Sequence, residues 1–198
     1  MRSFLALTAF ILLPTTLALT TGCGGPKVTR LDENTDVDES GNWSAGDSRR
    51  VAEAMIAQAL QNPWADNFKK VNNRVPVVKI GRIIATTDGD IINTEILAND
   101  LVRALQTSGK AEVVASTAEA DQAREERKQQ DVHASAETRK ESFQETAPDY
   151  LIIGTIGVQN DQANGLIHKF YATTLKMTDV KTQKQILFDK KISKTVER

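Results

Sequence analysis

Tyr150-Leu151-Ile152-Ile153-Gly154-Thr155-Ile156-Gly157-Val158 is the stretch on which the fold turns. It is a nearly continuous apolar run, rich in β-branched side chains, and it reads as a central strand covered on both faces. Downstream the pattern becomes alternating. Tyr171, Leu175 and Met177 alternate with Lys176 and Thr178, so Lys169 to Val180 is expected to be a strand with one wet face. Asp161 to Gly165 and Lys181 to Lys184 read as turns, and Gln185 to Thr195 as the last strand. The carboxy-terminal third is therefore expected to fold as antiparallel hairpins.

Upstream, helical and strand patterns alternate. Asp47 or Ser48 is expected to cap a helix that sets Val51, Ala54, Met55, Ala59 and Leu60 on one face, and Asn62-Pro63 ends it. Pro76 opens a β-branched strand, Val77 to Ile84, and Asp88-Gly89-Asp90 makes a turn. Asn93 or Thr94 caps a second helix with Ile96, Leu97, Leu101 and Leu105 inward, and Gly109 stands where a left-handed residue is wanted. Ala111 to Ala115 reads as a short strand. Ser116 and Glu119 have capping-box spacing and open a charged helix, Ala118 to about Gln130, without an apolar stripe. A further helix is expected from about Ser135 to Glu145. Together these patterns predict an α/β fold of the mixed α+β kind, a mixed sheet flanked by helices.

The amino terminus reads as an address. Arg2 precedes an apolar run from Phe4 to Leu19, interrupted by Thr8, Pro14, Thr15 and Thr16, as in an export signal spanning residues 1–22. Thr20-Thr21-Gly22-Cys23 follows, and it resembles the lipobox of bacterial lipoproteins, with Thr20 where Leu is usual. That resemblance implies cleavage between Gly22 and Cys23 and diacylglycerol on the Cys23 thiol, the only thiol in the chain. Several acyl chains, each buried CH₂ worth about 0.8 kcal/mol, hold a protein on a membrane without a spanning helix. Gly24 occupies the place where such lipoproteins carry Asp when they stay in the inner membrane, which implies the outer membrane facing the periplasm. Residues 23–46 hold Gly24, Gly25, Pro26, Gly41 and Gly46 and the acids Asp32, Glu33, Asp36, Asp38 and Glu39, with little aliphatic bulk. They read as a flexible acidic tether with an r.m.s. span of roughly 26 Å, and residues 47–198 as the globular domain.

Chemistry is sparse. The chain has 25 basic and 26 acidic side chains, a formal charge of −1, so no overall field steers it to nucleic acid. His133 and His168 are far apart and lack zinc spacing, and Asp88-Gly89-Asp90 puts Ile92 where a calcium loop needs an oxygen ligand. No Gly-rich phosphate loop appears. No catalytic, cofactor or metal site and no small-molecule substrate is expected, and Trp43 and Trp64 read as packing anchors. A binding module remains.

Several segments together resemble one family: Arg50-Val51-Ala52-Glu53, Asn62 to Phe68, Pro76-Val77-Val78, Thr107-Ser108-Gly109-Lys110, Arg124-Glu125-Glu126-Arg127, Pro148 to Gly154 and Leu175-Lys176-Met177-Thr178-Asp179. In order and spacing they are similar to the LpoB family, outer-membrane lipoprotein activators of a bifunctional penicillin-binding protein. The resemblance covers residues 47 to 195. It implies a fold like the TolB amino-terminal domain and the periplasmic part of CsgG, and a partner that is a class A penicillin-binding protein activated by docking. Two departures stand out: the tether is short and acidic rather than long and Pro-rich, and Ala85-Thr86-Thr87-Asp88 replaces an Asn-Arg-Thr run. The expected contact surface is the loop Thr86, Thr87, Asp88 and Asp90 with the neighbouring helix around Arg124 and Arg127, because loops on a rigid scaffold commonly carry recognition. The competing reading is a CsgG-like accessory lipoprotein of a secretion apparatus.

Overall fold

Where β-branched runs were expected, strands form. In the computed structural model they are β1 (Val77–Thr86), β2 (Glu112–Val114), β3 (Tyr150–Ala163), β4 (Leu166–Asp179) and β5 (Gln185–Glu197). They make one mixed sheet in the order β2-β1-β3-β4-β5, with β1 parallel to β2 and β3, and β3, β4 and β5 antiparallel in sequence. The structure describes residues 29–32, 35, 37, 40–87, 89–133, 145–163 and 165–197. The expected signal 1–22, Cys23, most of the tether, Asp88 and the helix expected near 135–145 lie outside those residues, apart from Glu145. Every element belongs to the unit Asn34–Arg198. Among the described residues no helix is long and apolar enough to cross a membrane.

Helix α1 (Ala45–Gln61) starts earlier than expected. Ser44, not Asp47 or Ser48, is its N-cap, and Asp47 is the third residue of a capping box: the Ser44 N–H donates to the Asp47 carboxylate (2.8 Å) and the Asp47 N–H to Ser44 Oγ (3.1 Å). The expected boundary at residue 46/47 thus falls inside a formed helix. Helix α2 (Trp64–Asn72), which local patterning does not predict, begins at Pro63 without a side-chain cap. Trp64 anchors it, donating from Nε1 to the Ala59 carbonyl (3.0 Å) and meeting Tyr150 edge-on at 5.0 Å. Helix α3 (Thr94–Ser108) matches its signals: Asn93 caps it and Gly109 follows at φ 63°. Leu97, Leu101 and Leu105 are fully buried, whereas Ile96 is exposed. Helix α4 (Thr117–His133) has the Ser116–Glu119 capping box, its Ser116 N–H donating to Glu119 at 2.7 Å.

The core lies between one face of the sheet and α1 with α3. Helix α3 packs over β1 and β2, and α1 reaches β5, where Gln58 Oε1 accepts from the Asp189 N–H (3.2 Å). Val78, Ile80, Ile152, Ile156, Leu175 and Met177 point into this layer. A bulge in β1 sets two residues, Gly81 and Arg82, opposite Ile153, because Ile80 pairs with Ile152 and Ile83 with Gly154. It keeps both Ile80 and Ile83 inward and turns Arg82, Ile84 and Thr86 outward. Close packing fixes two glycines: a Cβ on Gly154 would lie 2.5 Å from Leu175 Cδ2, and one on Gly81 3.0 Å from Ile153 Cγ2.

β3 is central but covered on one face only. Ile152 is 1 % exposed and Ile153 39 %, which corrects the expectation that both faces are buried. The apolar run therefore supplies both the core and a surface.

Candidate functional site

The segment Gly41 to Ser44 is strapped across the ends of β4 and β5. Trp43 meets Tyr171 edge-on at 5.5 Å and donates from Nε1 to Ser48 Oγ (2.7 Å). The Tyr171 hydroxyl donates to the Gly41 carbonyl (3.2 Å) and to Asp90 (2.6 Å), and Lys169 Nζ bonds both Asn42 Oδ1 and Asp90 (2.7 Å to the latter). Lys194 Nζ donates to the Asn42 carbonyl (2.7 Å) and pairs with Asp47, whose side chain is fully buried. Burial opposes ionisation of Asp47, but hydrogen bonds from Lys194, Ser44 and Arg50 outweigh it and hold the carboxyl below its usual range. Asp90 behaves likewise through Lys169 and Tyr171. Asp90, expected as a contact residue, is thus committed to holding the β1–α3 loop and the strap to the sheet.

A second lock sits at the start of β1 and β3. Arg74 makes a two-pronged pair with Asp149 (2.7 and 2.8 Å) while its guanidinium lies 4.9 Å from the Phe68 ring centre. Asp149 also accepts from the Val77 N–H (2.8 Å), so the Pro148-Asp149-Tyr150 segment sets where both parallel strands begin. Burial works against the Asp149 charge, and Arg74 and Val77 overcome it, keeping the carboxyl below its usual range.

The two expected contact groups are not brought together. Arg124 and Arg127 both bind Glu145, with Arg124 also on Asp121, and they line a groove with Lys79 and Val114 near the start of β1. The hydrogen bonds that Arg124 donates to Glu145 and Asp121 raise its pKa. Thr86 and Thr87 stand at the other end of β1, about 20 Å from Lys79 along the strand. Asp88 lies outside the described residues.

Thr86 instead belongs to the sheet's open face. Pairing aligns outward residues in rows: Ile153 with Lys176 and Leu187, Thr155 with Ile84, Thr174 and Asp189, Gly157 with Thr86, Ala172 and Lys191, and Gln159 with Phe170 and Ser193. Four large apolar side chains stand out on it, Ile84 at 49 % exposure, Ile153 at 39 %, Phe170 at 46 % and Leu187 at 57 %. Gly157 and Ala172 have almost no side-chain bulk, so they floor a trough of about 470 Å³ flanked by Phe170 and Lys191. Ile91, in the β1–α3 loop, is 92 % exposed. Within these four rows Arg82, Lys176 and Lys191 are exposed with no ion pair among the described residues, against one acid, Asp189; further along the same face the outward phase adds Asp161 and, at the far end, Glu197. Sequence reasoning marked Lys176 as wet but missed the site; the available signal was Phe170, an aromatic in the polar phase of β4.

Among the described residues no three His, Cys, Asp or Glu side chains are grouped to hold a metal ion. What this architecture offers is a surface.

Comparison with known proteins gives that surface a context. Residues 47–191 match the family model of the peptidoglycan-synthase activator LpoB. The LpoB C-terminal domain from Salmonella enterica is similar at 16 % identity and a TM-score of 0.41, covering 77 % of this chain and 99 % of its own. The Escherichia coli LpoB C-terminal domain is similar at 15 % identity and a TM-score of 0.37, with the same coverage. Lipoprotein GNA1162 from Neisseria meningitidis follows at 12 % identity and a TM-score of 0.35, covering 62 % of this chain and 83 % of its own. At these scores the structural likenesses add no weight to the family match. No curated sequence matches significantly. The matched segment runs from the Asp47 of the capping box into β5 and takes in the whole of the open face as far as Lys191, and on that ground the chain belongs to the LpoB family of peptidoglycan-synthase activators, whose members regulate an enzyme and are not themselves catalysts.

Proposed function

We propose that this protein is an outer-membrane lipoprotein that binds a bifunctional class A penicillin-binding protein from the periplasmic side and raises its glycan polymerisation and crosslinking. The observation that carries the reading is the family match over residues 47–191, which spans nearly the whole described domain. The lipobox-like Thr20-Thr21-Gly22-Cys23 supports anchoring through Cys23. Activation needs only a domain that binds the active conformation of the synthase more tightly than the inactive one, since a ligand shifts an equilibrium by its differential affinity. An exposed, chemically quiet sheet face suits that task.

The test is a polymerisation assay on a lipid-linked precursor with a purified class A synthase from the same host. Added full-length protein in detergent should raise the rate saturably and process no precursor alone. No effect on any class A synthase of the host would reject the activator role. Capture of secretion proteins alone from solubilised membranes would favour an accessory role in secretion. For the anchor, Cys23→Ala should leave the protein unlipidated and out of the outer-membrane fraction; unchanged fractionation rejects it.

A further inference from the structure

The outward rows of the sheet combine three features that separately mean little. Four apolar side chains are exposed, a trough floored by Gly157 and Ala172 interrupts the surface, and three cations in the same rows, Lys191 beside the trough and Arg82 and Lys176 near Ile153, have no ion-pair partner among the described residues. We propose that this open face docks an acidic stretch of the synthase, with one apolar side chain of that stretch seated in the Gly157–Ala172 trough between Phe170 and Lys191. The proposal rests on the activator reading and names the part of the molecule that performs it.

Charge decides among the possible occupants. A second copy of this chain meeting face to face would bring together two patches that each carry three cations and one acid in these rows, and a net excess of like charge on both sides opposes association. A lipid surface is matched by a polybasic face with large apolar anchors. Here Thr155, Thr174, Gln159 and Ser193 are interleaved with the apolar residues, in the mixture typical of a protein interface. An acidic protein segment satisfies both the cations and the trough.

Size sets the strength. Four strands about 4.8 Å apart and rows about 7 Å apart give the face roughly 15 by 20 Å, well below the ~800 Å² per partner of a standard stable interface. The contact is therefore a reversible one with strong salt dependence, completed at its rim by Thr86. Such a contact fits a regulator that must engage and leave.

The experiment compares three forms of the full-length protein in detergent, binding to the immobilised synthase at low and high salt: wild type, Lys176→Glu with Lys191→Glu, and a control with Lys69→Glu and Lys70→Glu on the exposed side of α2. The control makes the same charge change elsewhere. The Lys176/Lys191 variant should bind about tenfold or more weakly and lose most of its salt dependence, while the control stays within about twofold of wild type. Ala172→Arg, which fills the trough without altering the core, should weaken binding similarly. Melting curves of all variants should match wild type, since these side chains are exposed. Wild-type binding that both the Lys176/Lys191 pair and Ala172→Arg leave intact overturns this inference and spares the activator reading. Failure of the wild type to bind any class A synthase overturns both. Salt-sensitive binding of the wild type to vesicles rich in anionic phospholipid, lost in the Lys176/Lys191 variant while synthase binding persists, assigns the face to a membrane instead.

Discussion

Ile152 and Ile153 are identical neighbours on β3, and they face different surroundings. The first lies in the layer beneath α1 and α3 at 1 % exposure, the second stands on the open face at 39 %. Along the same strands the covered side holds Ile80, Ile156, Leu175, Met177 and Phe188. The opposite side mixes Ile84, Thr155, Lys176, Ala172 and Leu187. Folding energy comes mostly from the first set, so the second set is free to answer to a partner. The contrast teaches that apolar character on a strand has two sources, and only one of them is the core.

The largest test of the contrast is at the edge of the covered side. Asp47→Ala removes the N-terminal lock of α1 and takes a fully buried carboxylate away from Lys194, which is itself 7 % exposed. Breaking such a pair from one side typically costs about 3–5 kcal/mol, which urea denaturation would read directly. A loss below about 1 kcal/mol would mean that Lys194 simply rehydrates.

Next in size is the neighbouring pair itself. Ile152→Ala should cost about 2–5 kcal/mol through the cavity it leaves, and Ile153→Ala below about 1 kcal/mol. Equal costs would mean that both sides of β3 are covered in solution.

Acid should act more gently and from the covered edge inward. Asp47, Asp90 and Asp149 all have folded pKa values below the ordinary 3.8, so the unfolded chain takes up protons first as pH falls. The stability they contribute is complete well above pH 3.8 and is lost as pH drops through that value toward the depressed ones. Asp90→Asn should flatten this acid limb in a pH series of melting temperatures. The smallest effect belongs to the open face: Lys176→Ala should change stability by less than about 0.5 kcal/mol.

Local pattern revealed the parts of the fold that local physics determines. Asn93 and Gly109 bracket α3, Ser116 and Glu119 open α4, and the alternation around Leu175 marks the wet and dry sides of β4. It failed where long-range contacts decide. Gly41-Asn42-Trp43-Ser44 has the composition of a linker, yet its partners Lys169, Tyr171 and Lys194 lie more than a hundred residues away. Helix α2 is short and uncapped, and its stability comes from Trp64 and Phe68 packing edge-on against Tyr150. A run as apolar as Tyr150 to Val158 gives no sign of which face a helix will cover. The candidate site was visible only in fragments, because Thr86, Gly157, Ala172 and Lys191 become one row only through strand register.

The strap at Gly41 to Ser44 also stores slack. It is held by side chains of β4 and β5, not by the sheet's own ladder, so it can peel away while every strand stays paired. Peeling would free four or five residues, adding about 15 Å at full extension to whatever chain precedes the domain. A pull from the amino-terminal side is therefore borne first by a few hydrogen bonds and the Trp43 ring, which yield before the sheet is loaded. Under the proposed anchoring through Cys23, such a domain would gain reach under tension and recover its shorter length when the pull ends.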